Sequence, residues 1–257
     1  MVSKSGPKPH TLYPVKGDAH VTTAFITGAT SGIGRAMAFA LSDAGYDVYA
    51  VGRNEAALKE MQAERSGIFP IALDVTDREA IESVVADLQI DVLINNAGMM
   101  PPLGNFANMK ISDIDATLEV NLSAAILLTR LVVPQMRERQ SGHILFTGSS
   151  AAHAPFPNVA VYSATKAALS GFAASLRADL SPFGIRVTEI VPGRVETQLY
   201  KNILDPETRA AMYAGNVAVQ PEDVAKMVVA LLELPAWADV TRFDIMPTRP
   251  TTPSGSK

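Results

Sequence analysis

Tyr162 and Lys166 stand four positions apart in Tyr162-Ser163-Ala164-Thr165-Lys166, at the head of a long apolar-patterned segment that ends near Pro182. In a helix that spacing puts both side chains on one face. A free phenol titrates near pH ~10, so it needs help to exchange protons at neutral pH. An ammonium one turn away favours the phenolate and brings the group toward the range where general acid–base catalysis works best. Ser149, in Gly148-Ser149-Ser150, lies thirteen residues before Tyr162. Its hydroxyl could steady the same substrate oxygen as a second donor. A Ser, Tyr and Lys set of this kind can place and polarise a carbonyl, while the hydride chemistry itself belongs to a nicotinamide.

Dinucleotide-binding signals lie upstream. Thr27-Gly28-Ala29-Thr30-Ser31-Gly32-Ile33-Gly34 follows an apolar run and precedes a helical pattern. Glycines there let the backbone turn tightly and approach a pyrophosphate, and the helix start offers free N–H groups to it. The next apolar run ends in Val51-Gly52-Arg53. A carboxylate at that place would bond a ribose 2′-OH and repel a 2′-phosphate. Gly52 holds the place instead, and the following Arg53 can fork onto a phosphate. This points to NADP(H), with NAD(H) as the alternative. Asp74-Val75 follows the third run, where an acid could meet the adenine amino group, and Asn95-Asn96-Ala97-Gly98 follows the fourth.

The elements that must position these residues are legible as short apolar runs alternating with helical spacing. The runs are Thr22–Thr27, Asp47–Val51, Ile68–Leu73, Val92–Ile94, His143–Thr147, Arg186–Val191 and Thr241–Ile245. Helical spacing fills Ala36–Ala44 and Ala80–Leu88, and longer apolar helices are expected at about 113–139 and 160–180. Strand and helix in regular alternation predict an α/β fold, a doubly wound parallel sheet of about seven strands covered on both faces. Ligands of such sheets bind beyond the carboxyl ends of the strands, which is where the motifs fall. One domain is expected over 21–248, between tails at 1–20 and 249–257 that are rich in proline, glycine and polar residues.

Bulk composition excludes several other classes. The 257 residues are 47% hydrophobic and 19% charged with a net charge of −4, a globular profile without a basic field for nucleic acid. Without cysteine there is no disulfide, thiolate or Cys-ligated metal, and no metal site is expected. No apolar run reaches the ~18 residues a bilayer requires. The longest, Ala124 to Val133, is broken by Thr129 and Arg130. The N-terminal MVSKSGPKPH lacks a secretory apolar region, so a cytoplasmic location is expected.

Taken together, Gly28-x-x-x-Gly32-x-Gly34, Asn95-Asn96-Ala97-Gly98, Ser149 and Tyr162-x-x-x-Lys166 resemble the short-chain dehydrogenase/reductase family, over about residues 21 to 248. The resemblance implies one Rossmann-type domain. It implies Tyr162 as acid/base, Ser149 as the group orienting the substrate oxygen, and Lys166 as the residue that binds the nicotinamide ribose and lowers the tyrosine pKa. It matches Asn121 to the family's helix asparagine that holds a water in the proton relay. It also implies cofactor contacts around Pro192, Gly193, Val195 and Thr197, and a homodimer or homotetramer built on the two long helices.

Substrate choice should lie in Gln198 to Val219, which carries Tyr200, Leu204, Met212 and Tyr213 beside Lys201 and Arg209. Met99, His153 and Phe156 could line the same pocket, and Arg194 could pair with a substrate carboxylate. A weaker likeness runs to the family branch that oxidises serine and other 3-hydroxy acids with NADP. It rests on Gln220-Pro221-Glu222-Asp223-Val224-Ala225, Leu234-Pro235 and Asp244-Ile245-Met246-Pro247. The expected function is hydride transfer between the nicotinamide and a small carbonyl or secondary alcohol. The alternative is a catalytically silent NADP(H)-sensing protein of the same fold, and intact Ser149, Tyr162 and Lys166 argue against it. The short Tyr–Lys gap disfavours the family's enoyl reductase branch.

Overall fold

The strands form where β-branched and aliphatic residues run together between turn signals, and they take the parallel arrangement that their alternation with helices requires. A computed structural model of the chain describes residues 21–249 apart from 202 and 215–217; the expected tails, but for Arg249, lie outside the described residues. The described residues hold seven strands: β1 (Thr23–Thr27), β2 (Asp47–Gly52), β3 (Ile68–Ala72), β4 (Val92–Asn95), β5 (Gly142–Thr147), β6 (Ile185–Pro192) and β7 (Arg242–Ile245). They make one sheet in the order β3-β2-β1-β4-β5-β6-β7, with every pairing parallel. The order reverses between β1 and β4, which opens the crevice at their carboxyl ends. Each expected run became a strand, with no end displaced by more than one residue.

Helices cover both faces. On one lie α1 (Gly32–Asp43), α2 (Glu55–Glu64) and α8 (Pro221–Leu232), packed on a core that includes Ala24, Ile26, Met37, Leu41, Val48, Ile190 and Val228. On the other lie α3 (Arg78–Ala86), α5 (Ala124–Arg139) and α6 (Ala160–Leu180), around Phe25, Leu93, Val132, Ile144, Phe146, Leu169 and Val187. Ala24, Phe25 and Ile26 are all fully buried, as both-face coverage demands. Two short helices, α4 (Ile111–Leu118) and α7 (Pro206–Tyr213), complete the chain.

The long helix expected at 113–139 is not uniform. Between α4 and α5 it widens into a π-turn over Glu119–Ser123, which contains Asn121. A π-turn admits an extra residue and redirects the side chains it carries. The periodicity of apolar residues does not reveal it. The continuous stretch Ile111–Arg139 is also long and apolar enough on average to cross a membrane, although no uninterrupted apolar run is. Here its inner face, with Thr117, Asn121, Ala125, Leu128, Thr129, Val132 and Met136, is buried against the rest of the protein, while about a third of its most apolar window is buried in all.

Candidate active site

The crevice at the ends of β1 and β4 is built from backbone that only small residues can make. Gly28 and Gly32 have φ of +67° and +53°, the left-handed region that side chains disfavour. A Cβ on Gly34 would run into the Gly28 carbonyl and the Asn96 amide, so the start of α1 packs directly on the turn. Ser31 begins α1 without a side-chain cap. The first-turn N–H groups therefore stay available to an anion. Thr30 packs on the end of β2, where a Cβ on Gly52 would come within 2.6 Å of its Cγ2. That contact explains why a glycine, and not an acid, ends this strand.

Asn96 braces the turn, a role its position in the motif does not disclose. Its Nδ2 donates to the carbonyls of Thr27 (3.0 Å) and Gly28 (3.3 Å), and its Oδ1 accepts from Thr147 Oγ1 at 3.1 Å. Thr27 Oγ1 in turn accepts from the N–H groups of Asn96 and Ala97, both at 3.0 Å. The carboxyl ends of β1, β4 and β5 are thus locked together. Sequence reading singled out neither Thr27 nor Thr147; a threonine closing two strands that meet the same asparagine is the signal that could have found them. Asn95 is buried, its Nδ2 donating to Thr129 of α5 at 3.1 Å.

Arg53 and Asp74 meet at the adenosine end. The Arg53 side chain is 80% exposed, with Nη1 3.6 Å from Asp74 Oδ2. Asp74 also accepts from Thr76 N at 3.0 Å and Thr76 Oγ1 at 2.8 Å. These hydrogen bonds from Thr76, joined by the guanidinium, hold its carboxyl below the usual range. Val75 follows in the same turn, half-buried.

Ser149, Tyr162 and Lys166 come together at the end of β5. Tyr162 is buried among Met100, Ala151 and Val159, with Leu199, Tyr200 and Ile203 packed against them. Burial pushes its phenol up to about 12, opposed by a hydrogen bond with Ser149. Ser149 Oγ also accepts from Ala151 N at 3.2 Å. Lys166 is buried, its Nζ donating to the Thr147 carbonyl at 2.7 Å and lying 5.8 Å from the centre of the Tyr162 ring. Desolvation draws the ammonium down to about 8. Burial of the phenol dominates, and the ammonium spends its shortest hydrogen bond on a backbone carbonyl. Gly98 lies beside both groups: a Cβ there would sit 3.6 Å from Lys166 Nζ and 3.5 Å from Asn121 Oδ1, in ordinary contact.

Asn121 is buried in the π-turn. Its Oδ1 accepts from Met99 N at 2.7 Å, and its Nδ2 donates to Met99 O at 2.9 Å and to Thr165 Oγ1 at 3.3 Å. The side chain therefore clamps the loop after β4 to α6, next to Lys166. Met99 contributes backbone to this clamp.

The chain after β6 closes the other side. Gly193 donates to Ile245 O at 2.9 Å, and Pro192 is the last residue of β6. Val195 bridges to Val219. Thr197 lies over the phosphate turn, its Cγ2 3.1 Å from where a Gly32 Cβ would stand. An open groove of about 680 Å³ runs beside them, lined by Gly32, Arg35, Phe39, Thr197, Arg209 and Tyr213 among others. Arg194 is half-buried and donates to Met212 O at 3.4 Å; it forms no carboxylate pair among the described residues. Burial raises the Tyr200 phenol, with the nearby Tyr213 adding to the effect and Arg194 opposing it. Phe156 is exposed, whereas His153 reaches Glu189.

Comparison with known proteins agrees with this architecture. The pattern of the short chain dehydrogenase family matches residues 22–208. An uncharacterised short-chain type dehydrogenase/reductase of Sinorhizobium fredii is 47% identical over 226 residues, 88% of this chain and 91% of the relative. The NADP-dependent 3-hydroxy acid dehydrogenase YdfG of Escherichia coli is 35% identical, with 86% of this chain and 93% of the relative covered. A structure of the closed form of serine dehydrogenase complexed with NADP+ superposes with a TM-score of 0.86 at 32% identity, covering 92% of this chain and 99% of that one. With its seven-stranded sheet, glycine turn and Ser–Tyr–Lys cluster, the chain belongs to the short-chain dehydrogenase/reductase family and is an oxidoreductase of alcohol and carbonyl groups.

Proposed function

We propose that this chain is a cytoplasmic oxidoreductase that transfers a hydride between NADP(H) and a small 3-hydroxy acid or its 3-oxo counterpart. The observation that carries the reading is the buried Tyr162, hydrogen-bonded to Ser149, with the Lys166 ammonium across its ring at the mouth of the glycine crevice. Tyr162 is protonated at neutral pH and is set to donate to a carbonyl oxygen, with the Ser149 hydroxyl as second donor. Lys166 would support the charge that develops on the phenol during proton exchange and would hold the ribose of a bound nicotinamide. Asn121 fixes the backbone beside it.

The crevice fits a dinucleotide: its glycines clear the surface, and the uncapped start of α1 presents N–H groups. Gly28, Thr30, Ser31, Gly32, Ile33 and Gly34 would hold the pyrophosphate, and Asp74, Val75, Ala97 and Gly98 with the backbone at Asn95 the adenosine and ribose. Pro192, Gly193, Val195 and Thr197 would hold the carboxamide. The bound nicotinamide supplies the hydride. NADP(H) is the favoured cofactor: YdfG is described as NADP-dependent, and the serine dehydrogenase structure holds NADP+. Arg53 supplies the matching cation. The substrates named for those two proteins carry a carboxylate. Arg194, half-buried beside Tyr200 and unpaired with any described acid, is the residue suited to receive one.

Matched NADPH and NADH titrations by fluorescence test the cofactor. Absorbance at the nicotinamide band, with small aldehydes, ketones, 3-hydroxy acids and sugars, tests the reaction. Tight NADPH binding with turnover on 3-hydroxy acids supports the reading. Tight binding without turnover on any class points to the sensing role instead.

A further inference from the structure

Glu189 is a carboxylate buried behind the Ser–Tyr–Lys cluster. It lies on β6 and is 5% exposed. A carboxylate in such surroundings is costly unless a cation or several hydrogen bonds compensate it. Its Oε2 accepts from Ser170 Oγ at 2.8 Å, and Ser170 stands one helical turn after Lys166 on α6. Its Oε1 has no hydrogen bond among the described residues and lies 3.6 Å from His153 Nε2. The same oxygen presses on Gly148, where a Cβ would come within 2.6 Å. Gly148 joins Thr147, whose carbonyl receives Lys166 Nζ, to Ser149. One carboxylate therefore touches the end of β5, the helix that carries Tyr162 and Lys166, and the loop after Ser149.

The charged groups facing Glu189 are Lys166 on α6, His153 in the loop, and Arg242 with Asp244 on β7. Arg242 is spent on a two-pronged pair with Asp244 at 2.7 and 2.6 Å. His153 is 32% exposed. Lys166 is the wholly buried cation, and it has no ion pair within 4.0 Å among the described residues. We propose that Glu189 is a positioning residue: its buried carboxylate is the counter-charge of the Lys166 ammonium, and its hydrogen bond with Ser170 and its approach to His153 hold the helix and loop that carry the reacting groups. Burial alone depresses the lysine, and Glu189 is the group that opposes this.

The inference rests on the role proposed for Lys166, so its first test needs no turnover. The melting temperature is measured from pH 6 to pH 10 for the wild type, Glu189→Gln, Lys166→Met and the double variant. Glu189→Gln should lose most stability at pH 6, where a buried ammonium is left without counter-charge, and progressively less as the lysine sheds its proton in alkali. With His153→Gln present throughout the series, so that the other cation facing Glu189 is absent, that pH dependence should vanish in the Lys166→Met background. A loss that is equal at every pH, or unchanged by Lys166→Met, makes Glu189 a plain brace and overturns the proposal. The second test is the alkaline limb of kcat/KM for carbonyl reduction. It should move down by about one pH unit in Glu189→Gln and stay in place in Glu189→Asp, with NADPH affinity kept. An unmoved limb also overturns it. If the wild type reduces no carbonyl, the proposed function fails while the melting series still decides the role of Glu189.

Discussion

Lys166 Nζ and the carbonyl oxygen of Thr147 are 2.7 Å apart, so the buried ammonium of α6 is anchored to the end of β5, one residue from Gly148 and two from Ser149. That bond fixes the lysine across the ring of Tyr162 and joins the helix to the strand at the point where the substrate oxygen would sit. The Tyr162 phenol, pushed to about 12, is protonated at neutral pH and suited to donate to a carbonyl oxygen. Tyr162→Phe removes the donor and leaves the crevice intact. Turnover should fall by about 10²–10⁴-fold or more, with NADPH affinity nearly unchanged in a fluorescence titration. Retained turnover would rule out Tyr162 as the acid.

Arg53 lies 3.6 Å from Asp74 and is 80% exposed, free to swing onto a 2′-phosphate. Arg53→Ala should weaken NADPH by roughly tenfold, the scale of one charge-assisted contact, and leave NADH within twofold. Equal losses for both cofactors in parallel titrations would refute the clamp.

Asn96 makes three side-chain hydrogen bonds across the ends of β1 and β5. Asn96→Ala strands these buried groups and should cost about 2–4 kcal/mol, read as a lowered urea midpoint at constant m-value. Cofactor affinity should fall with it, because the Gly28 turn loses its brace. A variant as stable as the wild type would show that the turn holds itself.

His143 is buried on β5, with Nε2 2.8 Å from Thr188 Oγ1, and desolvation lowers its pKa to about 3. The unfolded histidine titrates at about 6.5, so between those values the unfolded state binds more protons and stability rises with pH. The contribution is therefore lost as pH falls below ~6.5, reaching at most about 5 kcal/mol near pH 3. His143→Gln should flatten this part of the curve of unfolding free energy against pH. An unchanged acid slope would assign the loss to other groups.

The family resemblance predicts a dimer or tetramer. Leu103, Phe106, Ile111 and Leu118 are exposed around α4, Phe106 and Ile111 by 60% and 71%, and an interface would cover them. Light scattering at micromolar concentration should give a multiple of the 27.3 kDa chain. A monomer that turns over would separate assembly from catalysis.

The alternation of apolar runs and helical spacing fixed the sheet in advance. Strands buried on both faces must be nearly all apolar, and their connections must be helices, so local pattern and global topology carry the same information. The glycine turn was legible for a related reason: positive φ and close approach leave one residue type able to serve. Ser149, Tyr162 and Lys166 could be read because their spacing in sequence is their spacing on a strand end and a helix face.

Other features depended on groups far apart in the chain, and those only the fold decided. Asn96 gains its role from meeting Thr147, and Asn121 from a π-turn that delivers it to the Met99 backbone. Burial, which no single position discloses, raised Tyr162 and lowered Lys166. Glu189 reads in sequence as one acid in an apolar run. It becomes the buried charge behind the lysine only because the parallel pairing of β5 with β6 puts its oxygen against Gly148. Residue type and local spacing set which groups could react; electrostatics depends on distance and desolvation in three dimensions, and so the state in which those groups are held was set by the tertiary structure.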